Sequence, residues 1–279
     1  MKHGIYWLAS YPKSGNTWMR AIISNYLVNA EEAVKINDFQ TDGIASSRSF
    51  FNENLCIPSE DLNLEEIQAY QPDMYREFVK DSKKDLYIKV HDAYILNKLK
   101  EPLFPKDVTK GVLYIVRNPL DVVVSYAHHN SSEVSKSIKN INDNNFIVSK
   151  PKKTLPSQLP QVMLSWSNHV ESWMNSPLPI CIIRYEDMLE KPFETFSKAL
   201  SFLGFEIEKE RLEKAIKFSS FKELKKQEEK DSFNEKPINS KSFFRNGKIN
   251  SYLDSLEKRM IKEIKEKHKK TMKKFKYIS

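Results

Sequence analysis

Short apolar runs alternate with amphipathic stretches along this chain of 279 residues. The runs have the length and composition of buried strands, and they are predicted at 5–9, 86–91, 111–117 and 180–185. Apolar residues at helical spacing lie between and after them, which predicts helices at 16–30, 64–69, 118–128, 161–174 and 257–276. Strands that alternate with helices favour an α/β fold with a central parallel β-sheet flanked by helices. We expect one domain over residues 1–279.

Two polar segments, 37–61 and 130–160, show neither pattern and are predicted to be irregular. Long irregular segments inside a compact domain are usually functional. We therefore expect them to shape a substrate site.

Polar residues follow each predicted strand, and in parallel sheets ligands bind at the carboxyl ends of the strands. This rule predicts that the strand-end residues are neighbours, and they are 13–17, 89–91, 117–121 and 184–185.

The first of these segments has the features of an anion-binding loop. It joins a strand to a helix, whose exposed N–H groups and dipole favour anions. Lys13 adds a charge, Ser14 and Thr17 add hydroxyl groups, and Gly15 permits close approach of the backbone. A plain strand-to-helix turn is the alternative.

The same loop differs from the phosphate loop of nucleotide triphosphatases. It lacks their G-x-x-x-x-G-K-S/T spacing. The second and third strands end in His91 and Arg117, so no acidic strand end is in place to hold magnesium. We expect no metal site.

The third strand leads into a predicted helix cap. Asn118 is a good N-cap, Pro119 suits the first helical position, and Asp121 at N3 predicts a capping box. Arg117 and Ser125 then form a candidate grip for a second phosphate, although an Arg here is more often a structural ion-pair partner.

Lys89 and His91 alternate on one face of the second strand. A histidine at a strand end beside an anion loop is a candidate general base, and a structural histidine is the alternative. No role is predicted for His128, His129 or His169. Residues 243–247 either close over a ligand or form a turn before the last helix.

Charge and cysteine content indicate which binding partners and which cellular compartment to expect. The net charge is +8, and residues 257–276 hold ten Lys or Arg and three Glu, a net +7. This concentration predicts a terminal helix with a solvated basic face, with docking of acidic partners as the alternative, and argues against nucleic acid as the partner. Two cysteines and no apolar run of membrane-spanning length favour a cytoplasmic protein.

The motifs together resemble those of sulfotransferases that use 3′-phosphoadenosine-5′-phosphosulfate (PAPS). Residues 11–18 resemble the 5′-phosphosulfate loop of that family, and 117–126 resemble its 3′-phosphate motif. Residues 89–91 are similar to the segment with its catalytic histidine, and 184–188 and 244–247 to later segments of the nucleotide site. The likeness extends from about residue 5 to 255.

The resemblance implies a donor site and a catalytic set. Lys13 and the backbone of 14–17 would hold the phosphosulfate, Trp18 would stack on adenine, and Arg117 and Ser125 would bind the 3′-phosphate. The full implied donor set is Lys13, Ser14, Gly15, Asn16, Thr17, Trp18, Arg117, Ser125, Tyr185, Arg245, Asn246 and Gly247. Asn16 and Asn246 depart from the Thr and Lys that are usual in the family.

In the implied reaction, His91 takes the proton of an acceptor hydroxyl, while Lys89 and Lys13 stabilise charge on the sulfonate and the leaving group. The product of the donor would be adenosine 3′,5′-bisphosphate (PAP), and no metal would be needed. The acceptor would be a hydroxyl, or less often an amine, of a small metabolite or glycan. The rivals are a phosphate-loop kinase that uses Mg-ATP and a non-catalytic nucleotide- or nucleic-acid-binding module. The oligomeric state stays open.

Overall fold

The computed structural model describes residues 2–151, 155–237 and 240–279. The strands are β1 Ile5–Ser10, β2 Leu86–Val90, β3 Thr109–Val116, β4 Ile147–Val148, β5 Gln161–Val162 and β6 Ile180–Arg184. The helices are α1 Asn16–Val28, α2 Arg48–Leu55, α3 Leu64–Lys80, α4 Pro119–His129, α5 Val134–Asn142, α6 Trp166–Met174, α7 Tyr185–Glu190, α8 Pro192–Phe202, α9 Lys209–Phe218, α10 Phe221–Asp231, α11 Lys258–Lys267 and α12 Lys269–Lys274.

The central sheet confirms the predicted α/β class. It has four strands in the order β2-β1-β3-β6, and β1 pairs in parallel with β2 from Ile5 opposite Leu86 to Ala9 opposite Val90. Each predicted strand is present within two residues of its expected bounds. In the described part of the chain, no helix is long and apolar enough to cross a membrane.

The apolar composition of β1 matches its burial, because all six of its residues are buried. A parallel strand inside a sheet is covered on both faces and therefore reads as a continuous apolar run. The Trp7 indole donates to the Thr109 hydroxyl at 2.8 Å and packs edge-on against Tyr75 and Phe104. This aromatic cluster fixes the start of the sheet.

Backbone contacts divide the chain into two compact units. The first comprises Met1–Tyr11, Asp42–Tyr114 and Asp143–Ile182, and the second comprises Pro12–Thr41, Ile115–Asn142 and Ile183–Ser279. Each unit draws on three separate stretches of sequence, so neither forms from one continuous segment. The expectation of one domain over residues 1–279 stays a prediction.

Regular structure occurs where the two irregular segments were predicted. The segment 37–61 contains α2, which begins where the Ser47 hydroxyl accepts from the Phe50 backbone N–H. The segment 130–160 contains α5 and β4, and its residues 152–154 lie outside the described part. These predictions were wrong for α2 and α5 because few apolar residues carry each helix, as with Ile138 and Ile141, which are buried among Asn, Ser and Lys.

Two helix bounds differ from their predictions by five or more residues. The helix predicted at 64–69 continues to Lys80 through the buried Pro72. The helix predicted from residue 161 begins only at Trp166, because residues 161–162 form β5 and pair antiparallel with β4.

The C-terminal helix is divided at His268 into α11 and α12. Its apolar residues Ile264 and Met272 are buried, whereas the charged groups of most of its lysines are exposed. The solvated basic face is therefore confirmed. His268 is buried, which lowers its pKa to about 4, and its Nε2 lies 3.0 Å from the Asn142 side-chain oxygen.

Gly15 begins α1 in the left-handed region, with φ 106°. A Cβ at this position would lie 2.6 Å from Cδ2 of Tyr185, so both the backbone and the space require glycine. Gly43 is a natural comparison, because its φ is 83° but nothing lies within 4 Å of the same point.

Gly15→Ala should therefore destabilise the protein more than Gly43→Ala. We expect the free energy of unfolding to fall by about 2–4 kcal/mol for Gly15→Ala, from backbone strain plus overpacking. Strain alone should cost about 1 kcal/mol for Gly43→Ala. Urea unfolding of both variants measures the difference, and equal losses would show that the contact with Tyr185 carries no cost.

Candidate functional site

The loop between β1 and α1 holds its backbone in an unusual conformation. Lys13 and Gly15 both have positive φ, 69° and 106°, and the Gly15 carbonyl accepts the first helical hydrogen bond from Met19 at 3.1 Å. A lysine in this region is strained, and such strain is typical of functional loops.

Polar atoms in and beside this loop are buried without a protein partner. In the described residues, the Ser14 hydroxyl and the Trp18 indole nitrogen have none. Burial of an unpaired polar group costs free energy. A bound ligand with acceptor oxygens would remove that cost, so the loop fits an anionic ligand.

Arg117 connects this loop to a second one. Its guanidinium donates to the Lys13 carbonyl at 2.9 Å and to the Lys248 carbonyl at 3.1 Å. The Nε atom of this buried side chain has no hydrogen-bond partner among the described residues. Arg117 therefore fixes the backbone of both loops and retains one buried donor.

Tyr185 supports the same arrangement from one side. Its ring lies 4.1 Å from the Arg117 guanidinium carbon in a cation–π contact and packs edge-on against Trp18. The ring also occupies the space that a Cβ at Gly15 would need. Burial raises the pKa of Tyr185, so the phenol stays neutral.

Two buried carboxylates hold the backbone around α4, and they correct the predicted capping box. Asn118 is the N-cap and accepts from the Leu120 N–H at 3.1 Å, but its own N–H donates to Glu186 at 3.0 Å. Asp121 instead accepts from the backbone N–H groups of Asn250 and Tyr252 at 2.8 and 3.1 Å. The capping box was wrong because these distant backbone donors bind Asp121.

Residues 243–247 are held at their start and turn at their end. Glu228 accepts from the N–H groups of Phe243 and Phe244 at 2.5 and 2.9 Å. Gly247 has φ 58°, and a Cβ there would overlap the Phe221 ring. Arg245 between them is half-buried, and Asn246 is exposed.

Several cations lie near His128 in this unit, and Lys13 is one of them. The Lys13 ammonium lies 4.2 Å from the centre of the Phe243 ring and 3.2 Å from Nδ1 of His129. Because an ammonium only donates, Nδ1 of His129 is the acceptor. Burial lowers the pKa of His128, and the charges of Arg245, Lys13 and Lys241 lower it further. This concentration of positive charge suits a polyanion.

His128 and His129 were missed in the sequence because the helical pattern gave no reason to prefer them. They lie in the last turn of α4, and two adjacent histidines there are also what the helix dipole favours. Ser125 lies earlier in the same helix and is half-buried. The predicted donor set, Lys13, Ser14, Gly15, Asn16, Thr17, Trp18, Arg117, Ser125, Tyr185, Arg245, Asn246 and Gly247, thus belongs entirely to the second unit.

The first unit contains His91 and Lys89. Val90 is buried while both neighbours are half-buried, as expected for two side chains on one face of a strand end. Nδ1 of His91 lies 2.8 Å from the Ser10 carbonyl oxygen, which can only accept. The ring proton is therefore on Nδ1, and Nε2 of the neutral ring is the basic nitrogen.

Carboxylates, histidines and cysteines do not gather into a metal-binding group of three or more within residues 2–151, 155–237 and 240–279. The absence of a metal requirement stays a prediction.

The cation group should be visible in the titration of His128. Because the folded state lowers its pKa, protonation of His128 opposes folding, and its contribution to stability is lost as the pH falls through the folded pKa. Lys13→Met should raise this pKa toward that of an ordinary histidine, although burial, the larger cause, remains. NMR titration of the imidazole protons measures it, with Lys270→Met on the exposed face of α12 as the control. An unchanged pKa in Lys13→Met would separate Lys13 from the group.

Known proteins share sequence similarity with this chain. A family model described as a sulfotransferase domain matches residues 5–276. The flavonol 3-sulfotransferase of Flaveria bidentis is 26% identical over 274 residues, covering 92% of this chain and 78% of the relative. Sulfotransferase 1A1 of Canis lupus familiaris is 27% identical over 236 residues, covering 78% of this chain, and the matched region is 65% of that relative.

Solved structures share the fold. Mouse sulfotransferase SULT7A1 complexed with PAP superposes with a TM-score of 0.62 at 19% identity, covering 96% of this chain and 84% of that one. Retinol dehydratase in complex with retinol and PAP gives a TM-score of 0.63 at 18% identity, covering 98% and 82%. With the family model spanning nearly all of the sequence, the chain belongs to the sulfotransferase family.

Proposed function

We propose that this sulfotransferase transfers the sulfonate group of PAPS to a hydroxyl group of a small molecule. The observation that carries the proposal is the Arg117 clamp, the two hydrogen bonds from the Arg117 guanidinium to the Lys13 and Lys248 carbonyls. The clamp brings a cationic loop and a buried guanidinium together with the aromatic pair Trp18 and Tyr185 in one compact unit. A nucleotide with phosphates at two positions and a flat base needs these three kinds of contact. The relatives named above support PAPS as the donor, because two related folds were solved with PAP.

The residues of the second unit fit the donor. The unpartnered Ser14 hydroxyl and Arg117 Nε are buried donors that phosphate oxygens would satisfy. Lys13 and the positive group around His128 would balance the charge of the phosphosulfate and the 3′-phosphate. Trp18 and Tyr185, in edge-on contact, would lie beside the base. Ser125, Arg245 and the backbone of 246–247 would complete the grip on the 3′-phosphate.

When bound, PAPS supplies a sulfonate group attached to PAP, which is a good leaving group. His91 would hold the acceptor hydroxyl through Nε2 and take its proton as the oxygen attacks sulfur in line. Lys89 and Lys13 would stabilise negative charge on the sulfonate and on the departing PAP. The bond between sulfur and the acceptor oxygen would form as the bond between sulfur and the bridging phosphate oxygen breaks. The proton would end on His91, the sulfonate on the acceptor oxygen, and the former bridging oxygen with its electron pair on PAP.

The acceptor is proposed as a small molecule with a hydroxyl group, because one relative is a flavonol 3-sulfotransferase and one protein of the same fold was solved with retinol. An amine or a glycan hydroxyl is the less favoured alternative. The polar segments around α2 and α5 are proposed to shape the acceptor site, and their Asn, Ser and Lys content favours an acceptor with several polar groups.

Donor identity is tested by thermal shift and transfer together. PAP at about 100 times its dissociation constant should add roughly 2.7 kcal/mol of stability. Labelled sulfonate should pass from PAPS to at least one member of a panel of flavonols, steroids, retinoids, phenols and sugars. A shift with Mg-ATP and none with PAP would overturn the proposal in favour of a kinase.

The base is tested by His91→Ala in the same assays. Turnover should fall by at least about 100-fold, as for loss of a general base, while the dissociation constant of PAP should stay within about twofold, because the proposed donor residues belong to the other unit. Lys270→Met, which changes an exposed lysine of α12, is the control for non-specific loss. If His91→Ala keeps the wild-type kcat, His91 is not the base.

A further inference from the structure

We propose that His169 and Tyr114 are positioning residues for the reaction, and that they set the position of His91 through its backbone. The inference rests on the proposed role of His91 as the base. It concerns the first unit alone, since His91, Tyr114 and His169 all belong to it.

His169 makes a hydrogen bond with each of its ring nitrogens. Its Nε2 lies 2.9 Å from the His91 carbonyl oxygen, and its Nδ1 lies 2.8 Å from the Tyr114 hydroxyl. A carbonyl can only accept, so Nε2 carries the proton and donates to His91. Nδ1 then accepts the proton of the Tyr114 hydroxyl, and the network assigns one tautomer to the ring.

Both residues are fully buried, at 0% exposure. Burial lowers the pKa of His169 to about 4, so the imidazole is neutral at neutral pH and has a single N–H to give. Without the Tyr114 hydroxyl, Nδ1 would be a buried acceptor that has lost this hydrogen bond, which costs free energy in the tautomer that donates to His91. Tyr114 therefore stabilises the tautomer of His169 that donates to His91.

Residues 92 and 94, close to His91 in the sequence, are bonded to α6, the helix that contains His169. Trp173 of α6 donates its indole N–H to the Asp92 carbonyl at 2.9 Å, and Ser172 accepts from the Tyr94 N–H at 3.0 Å. Each of residues 91, 92 and 94 thus has its backbone bonded to a different side chain of α6. The strand end that carries His91 is fixed along its length instead of at one point.

The His91 ring is constrained independently, by the bond between Nδ1 and the Ser10 carbonyl. His169 fixes the backbone of His91, and Ser10 fixes the ring. A general base needs both, because a displacement of about 1 Å at the reacting atoms can cost roughly 100-fold in rate.

The test compares two substitutions at one position. Gln has an amide N–H close to where Nε2 of histidine lies and can donate to the His91 carbonyl, whereas Met fills a similar volume and cannot donate. With PAPS and the best acceptor of the panel, His169→Met should lower kcat by about 10- to 100-fold, and His169→Gln should stay within about threefold of wild type. The dissociation constant of PAP should change by less than about twofold in both.

Asn168→Ala is the matched control, because Asn168 lies on the exposed side of α6 and donates to Asn144. Its kcat should equal that of the wild type. A purely structural role of His169 would lower the melting temperature and kcat of the Gln and Met variants alike, and that pattern would overturn the proposal.

Tyr114→Phe keeps the packing and removes only the hydroxyl, so it serves if His169→Met does not fold. We expect kcat to fall by about 3- to 10-fold, with the PAP dissociation constant again unchanged. An unchanged kcat would overturn the proposal. This test can be told apart from the test of His91 as the base. If His91→Ala is active, His91 is not the base. If His91→Ala is inactive but Tyr114→Phe and His169→Met keep the wild-type kcat, only the positioning role of His169 and Tyr114 is refuted.

Discussion

The second unit depends on the two hydrogen bonds that the Arg117 guanidinium donates to backbone carbonyls of Lys13 and Lys248. The two loops are 235 positions apart in the chain, and one planar group joins them because a guanidinium presents several donors in a fixed fork. The strained backbone of Lys13 and the turn that follows Gly247 are held by this clamp. Tyr185 packs against it and explains why Gly15 admits no Cβ.

Buried carboxylates extend this frame. Asp121 accepts from the backbone N–H groups of residues 250 and 252, and Glu228 accepts from those of residues 243 and 244. Glu186 accepts from the backbone N–H group of residue 118. Hydrogen bonds to a charged acceptor are stronger than those between neutral groups, and a carboxylate that spans two N–H groups fixes the path of the backbone. These bonds hold the proposed donor loops in place, which reduces the entropy lost on binding.

The sequence predicted the sheet and the position of the loop between β1 and α1 well, for a local reason. That this loop binds an anion stays a prediction. The strand β1 is apolar from Ile5 to Ala9, and Gly15 marks the start of α1 after it. It failed where the structure depends on distant partners or on few residues. Asp121 looked like part of a capping box, but it binds residues 250–252, which lie about 130 positions away. Likewise, α5 is carried by Ile138 and Ile141 in a polar stretch.

The donor residues from the resemblance all belong to the second unit, but the groups that hold them could not be read from the sequence. His129, which contacts Lys13, and His169, which contacts His91, belong to no motif in the sequence, and their significance appears only in their contacts.

The most direct measurement is the affinity of Arg117→Lys for PAP, by isothermal titration. Lysine keeps the charge, but its single ammonium cannot bond two carbonyls in the fork geometry of arginine. We expect a loss of affinity of about 100-fold or more, consistent with the loss of at least two buried hydrogen bonds to a charged group. A dissociation constant equal to that of the wild type would contradict it, because it would show that charge alone, without the clamp, makes the site.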